Sequence, residues 1–114
     1  MADRTVLFVS SGEPHALRSA GSCALAAVAM ERRVDVFLTG PAVVAVVAGH
    51  DGEADDPAAL LQQARRAGAR LVACSASVVE QKVALGEAEA ALDAVVGWPT
   101  ILEWSRGVVD RFSF

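Results

Sequence analysis

The chain has 114 residues, 54% of them hydrophobic but only 5% aromatic, and a formal net charge of −4. A domain of this size buries about two-thirds of its unfolded surface without metals or disulfides, and so apolar a composition excludes disorder. A negative chain repels a phosphate backbone on average, so no nucleic-acid partner is expected.

Met1-Ala2-Asp3-Arg4 runs straight into an apolar segment, without the basic stretch, long apolar core and cleavage pattern of a signal peptide, and a cytoplasmic protein is expected. Thr5-Val6-Leu7-Phe8-Val9 is a continuous β-branched and apolar run, the pattern of a strand buried on both faces. Ser10-Ser11-Gly12-Glu13 ends it. Pro14 suits the first turn of a helix, where its missing N–H would be unpaired anyway. That helix is predicted from His15 to about Arg33, with Leu17, Ala20, Ala24, Ala27, Val28 and Met30 on its apolar face and Cys23 packed within it.

Val34 to Leu38 is the second predicted strand, ending at Thr39-Gly40. Pro41 to Gly49 is ambiguous, since its valines favour a strand while its opening Thr-Gly-Pro suits a helix start; a short helix is the expectation. Although this is the longest apolar run, it falls far short of the roughly 20 residues that a membrane span needs, so no membrane partner is expected. His50 to Asp56 reads as an exposed acidic loop whose ligand order matches no calcium loop.

Asp56-Pro57 has the signature of a helix start and Gly68 that of its stop, with Arg65 and Arg66 in the last turn complementing the helix dipole. Ala69 to Cys74 is the third predicted strand. Ser77 and Glu80 have capping-box spacing, which predicts a helix from Ser77 to about Leu85. A further helical stretch over Glu87 to Leu92, a short strand over Ala94 to Val96 and a helix from Pro99 to Arg106 follow, and Val108 to Phe114 is predicted to close the chain as a strand. Strands alternating with helices predict an α/β fold, a three-layer α/β/α sandwich around a largely parallel sheet of about five strands, in one domain over residues 1–114. The pattern does not contain the strand order.

Ligands in open parallel sheets bind beyond the carboxyl ends of the strands. Those ends are Ser10-Ser11-Gly12, Thr39-Gly40, Cys74-Ser75 and Gly97-Trp98. Cys74 is the only strong nucleophile among them. Free N–H groups and the positive dipole end of a following helix would stabilise its thiolate, lowering the thiol pKa from about 8.5. On this reading the sulfur lies open at the loop edge; the alternative is a small buried hydrophobe at a strand end. Two cysteines so far apart make neither a disulfide framework nor a zinc site, and no metal or cofactor is implied.

Val-Asp-Val-Phe-Leu-Thr-Gly at 34–40, Ala-Gly-Ala-Arg-Leu-Val-Ala-Cys-Ser-Ala-Ser at 67–77, Val-Val-Gly-Trp at 95–98 and Asp-Arg-Phe-Ser-Phe at 110–114 together resemble the DsrE/DsrF-like proteins. The resemblance implies assembly into trimers or hexamers and, as in some members, a sulfur relay. In such a relay Cys74 accepts sulfane sulfur from a donor as a persulfide and hands it to an acceptor protein. The candidate site is Cys74 as the carrier thiol, with Ser10, Ser11, Gly12, Thr39, Gly40, Ser75 and Ser77 as ligand-binding residues and His15 as a candidate proton relay. Members often carry glycine directly after this cysteine and a basic residue further on, where this chain has Ser75 and then Val78-Val79-Glu80. The other function class is a non-catalytic oligomeric module that binds a small anionic ligand or a partner protein at the same edge. Val43 to Val47, Trp98 and Trp104 are then candidates for burial between subunits.

Overall fold

The runs rich in valine and leucine form strands buried on both faces, as their lack of polar alternation requires. In the computed structural model, which describes residues 3–108 and 110–114, these strands are β1 (Arg4–Val9), β2 (Arg33–Leu38) and β3 (Arg70–Cys74); the sheet is completed by the half-buried β4 (Ala94–Val96) and the largely exposed β5 (Asp110–Ser113). Val109, inside the predicted last strand, lies outside the described residues, as do Met1 and Ala2. The helices are α1 (Pro14–Ala29), α2 (Pro41–Ala48), α3 (Ala59–Arg66), α4 (Ser75–Glu80), α5 (Leu85–Ala91) and α6 (Trp98–Trp104).

All five strands are parallel, in the order β4-β3-β2-β1-β5. Each step from β1 through β4 moves the same way across the sheet, so right-handed crossovers put α1 to α5 on one face. The chain then reverses, crossing back from β4 to β5 through α6 on the other face. The three-layer α/β/α expectation is met, with very unequal outer layers.

Two cores follow from this. Leu7, Val36, Leu71 and Ala73 pack under Leu17, Ala24, Val43 and Leu61 on the five-helix side. Val6, Phe37, Val72 and Cys74 pack under Ile101 on the α6 side, with Phe8 and Trp104 half-buried around them. Alternate residues of one strand therefore serve different layers. Trp104, a candidate for burial between subunits, packs instead against the smaller core: it stacks on Phe37 with ring centroids 6.3 Å apart and lies 3.9 Å beneath the Arg70 guanidinium.

Several element ends differ from expectation for local reasons. The first helix stops at Ala29, because the chain turns through Glu31 at φ +62° into β2, and Met30 is exposed rather than part of the apolar face. Asp56 does not cap a helix; its carboxylate accepts the Ala58 N–H at 2.8 Å and closes a turn, and α3 begins at Ala59. The Ser77–Glu80 capping box does not form either. Helix α4 starts two residues earlier, with Cys74 as its N-cap, while Ser77 Oγ accepts the Gly40 N–H at 2.9 Å.

Candidate functional site

A parallel sheet brings the Ser10-Ser11-Gly12, Thr39-Gly40, Cys74-Ser75 and Gly97-Trp98 loops to one edge. After β3 the chain turns onto the five-helix face, and after β4 onto the α6 face. The switch point of the sheet thus lies between β3 and β4, where Cys74 stands in register with Val96. Crevices at such points are where open α/β sheets bind ligands. The two loops meet closely there: a Cβ added to Gly97 would stand 3.9 Å from Ser75 Oγ.

Cys74 has extended backbone (φ −69°, ψ 125°) and is followed directly by α4. Its side chain makes no capping bond to the helix. Only 2% of the residue is exposed, and it packs in the cluster of Val6, Phe37, Val72 and Ile101. The expected open thiol is therefore corrected. Strand alternation places Cys74 on the same face as Val72, so its sulfur turns under α6 rather than out into the loops.

The remaining predicted residues divide into two groups. Ser77, Gly40, Thr39 and Ser10 hold the edge together: besides the Ser77–Gly40 bond, the Thr39 N–H donates to the Val9 carbonyl at 3.0 Å and the Ser10 N–H to the Phe114 carbonyl at 3.0 Å. Ser11 and Gly12, by contrast, border an open cleft of about 510 Å³ with Glu13, Pro41, Val44, Ala45 and Gln81. Ser11 Oγ accepts the Glu13 N–H at 3.1 Å, and a Cβ on Gly12 would stand 3.1 Å from the Pro41 carbonyl oxygen. This cleft is walled by the loop between β1 and α1, by α2 and by Gln81 just after α4, on the sheet face opposite to the one that carries Cys74. Of its other lining residues, Val44 and Ala45 belong to the Val43–Val47 segment expected between subunits, while Glu13, Pro41 and Gln81 were not expected at a site; the signal for them was the pair of glycines, Gly12 and Gly40, standing before proline-led helices. His15 is exposed on α1, and Glu80 is exposed at the end of α4 remote from Cys74.

Residues 4–106 match the DsrE/DsrF-like family. The chain belongs to that family. The ychN protein from E. coli, known from a crystal structure, matches this DsrE/DsrF-like chain over 100% of both chains with a TM-score of 0.72 at 15% sequence identity, which is a likeness of fold. No curated protein matches it in sequence. Among the described residues of this DsrE/DsrF-like chain, no group of three or more His, Cys, Asp or Glu side chains converges to hold a metal ion, and no helix is long and apolar enough to cross a membrane.

Proposed function

We propose that this chain is a sulfur-relay protein whose carrier thiol is Cys74. The single observation behind this reading is the position of Cys74 at the switch point between β3 and β4, as the residue from which α4 starts. Membership of the DsrE/DsrF-like family suggests the class of chemistry. In the step proposed, the Cys74 thiolate attacks the outer sulfur of a donor persulfide; a new S–S bond forms at Cys74, the donor's S–S bond breaks, and the donor leaves as a thiolate. Attack on the outer sulfur by an acceptor thiolate reverses the exchange, and no net oxidation occurs. Because the thiol is 2% exposed, transfer requires the short α6 to lift from the sheet.

We further infer that α6 meets a second copy of the chain, in a trimer or hexamer. Trp98 (48% exposed) and Leu102 (65% exposed) stand one helical turn apart on its outer side, and among the described residues this is the single helix on its face of the sheet. Leu102→Glu is then expected to lower the assembly state measured by light scattering.

The burial of Cys74 specifically favours a second reading, a non-catalytic oligomeric module binding its ligand or partner elsewhere on the edge. Intact-mass measurement after incubation with polysulfide separates the two. Relay predicts gain of one sulfur by the wild type and none by Cys74→Ala. Equal gain by both proteins, or none by the wild type, removes the relay reading and leaves the module.

A further inference from the structure

The end of the sheet remote from Cys74 carries an unbalanced group of charges. Arg4 and Arg33 stand opposite each other on β1 and β2, and Asp35 stands opposite Arg70 on β2 and β3, all on the α6 side. Asp35 is the buried carboxylate among these three arginines, and both its oxygens are taken: Oδ2 by Arg4 at 3.0 Å and Oδ1 by Arg70 Nε at 2.8 Å. Arg33 is exposed and has no ion-pair partner among the described residues. Donors outnumber acceptors here in a second way, since Arg4 Nε is buried without a hydrogen-bond partner. Like charges placed opposite each other on neighbouring strands destabilise a sheet, so Arg33 facing Arg4 is a cost that a bound anion would remove.

An open cleft of about 280 Å³ lies at this place, lined by Arg32, Arg33, Val34, Asp35, Gly68 and Arg70. Arg32 is occupied elsewhere, by Asp110 and the Thr5 hydroxyl. Arg70 gives only its Nε to Asp35, while its Cζ stands over the Trp104 ring, 3.9 Å from the centroid, and these two contacts restrain the guanidinium that carries its remaining donors. Gly68 leaves open space on the far wall, since a Cβ there would meet nothing within 4 Å. A guanidinium restrained in this way presents a planar fork that matches the paired oxygens of a carboxylate or phosphate. We propose that this cleft binds a small oxyanion carrying two or more negative charges, gripped between Arg33 and Arg70. Its size fits a few non-hydrogen atoms rather than a nucleotide. The site is independent of the sulfur chemistry: Cys74 lies at the other end of β3, about 13 Å away along the strand.

The test is calorimetric titration of the full chain with inorganic phosphate and, separately, with succinate, at constant ionic strength set by chloride. Saturable binding of phosphate alone, of succinate alone, or of both supports the proposal and identifies the oxyanion class. Arg33→Gln, at an exposed position, is expected to weaken that binding about tenfold or more. Arg66→Gln, which removes an exposed charge outside the cleft, is expected to leave it unchanged. Absence of saturable binding with either anion overturns the proposal, as does equal weakening by the two variants. Amide shifts at Gly68 and Arg70 in the wild type provide a reading that does not depend on any variant folding; their failure to move during the titration also overturns it. Binding to Cys74→Ala is expected to match the wild type whether or not sulfur is carried.

Discussion

Gly21 of α1 rests directly on Leu60 of α3: a Cβ added to the glycine would come within 2.4 Å of the Leu60 Cβ and 2.9 Å of the Leu61 backbone nitrogen. The two helices touch almost backbone to backbone, which is how one face of a small sheet holds both. Alanine is a better helix former than glycine by about 1 kcal/mol, but overpacking costs about 1–3 kcal/mol, and a clash with backbone cannot be relieved by a rotamer change. Gly21→Ala is therefore expected to lose about 1–2 kcal/mol of stability in urea unfolding. A variant as stable as the wild type would mean that α1 and α3 can separate freely.

Cys74 and Ile101 share the smaller core, and the lifting of α6 that the proposed sulfur transfer requires would uncover the thiol. Ile101→Val removes one methyl group from that contact, at a cost of about 1 kcal/mol. If α6 opens locally, alkylation of Cys74 by iodoacetamide should accelerate about fivefold, while alkylation of Cys23 stays constant. Parallel acceleration at both cysteines would show that the thiol is reached only by general unfolding.

Cys23 lies half-buried beside a cleft of about 330 Å³ formed with Met30, Arg32 and Phe112, and burial pushes its thiol pKa up from the ordinary value of 9.0. The folded chain therefore holds this proton more tightly than the unfolded chain does. The associated stability is complete below pH 9.0 and is lost as pH rises through the higher folded value. The chain has no tyrosine to mask this loss. Cys23→Ala is expected to flatten the alkaline decline in denaturant midpoint; an unchanged slope would show that the thiol does not contribute to it.

Arg65 closes the end of α5. Its Nη1 donates to the Ala90 and Ala91 carbonyls at 3.2 and 2.8 Å, and its Nε pairs with Asp93 at 3.2 Å, while Gln62 adds a bond to the Ala91 carbonyl at 3.1 Å. The same Asp93 accepts the Leu71 N–H at 2.8 Å, tying this cap to β3. Because Arg65 is partly exposed, Arg65→Ala is expected to cost about 1–2 kcal/mol rather than the larger sum of its bonds. Lysine, with a single point of donation, should restore only part of that in thermal unfolding. Full restoration would mean that charge alone, and not the fork, holds the helix end.

Much of the fold was legible because its signals are local. Val6 to Val9 and Val36 to Leu38 are too uniformly apolar for surface strands, and Pro14 and Pro41 sit where a helix tolerates a missing N–H. The element boundaries that shifted did so where a side chain found a distant partner. Ser77 was predicted to cap its own helix but instead accepts a hydrogen bond from Gly40, 37 residues away in sequence.

The sequence by itself determined the alternation of strands and helices, the parallel sheet and the place of Cys74 at a strand end. It also carried the run of motifs that identifies the DsrE/DsrF-like family. Tertiary structure alone decided the strand order, the isolation of α6 on one face, and the direction in which the Cys74 sulfur turns. The reason lies in β3 itself: Leu71 and Ala73 face one core while Val72 and Cys74 face the other, and all four are apolar. A strand buried on both sides has the same period of two whichever face is which. Only the crossing of the chain from β4 back to β5 sets α6 over the thiol.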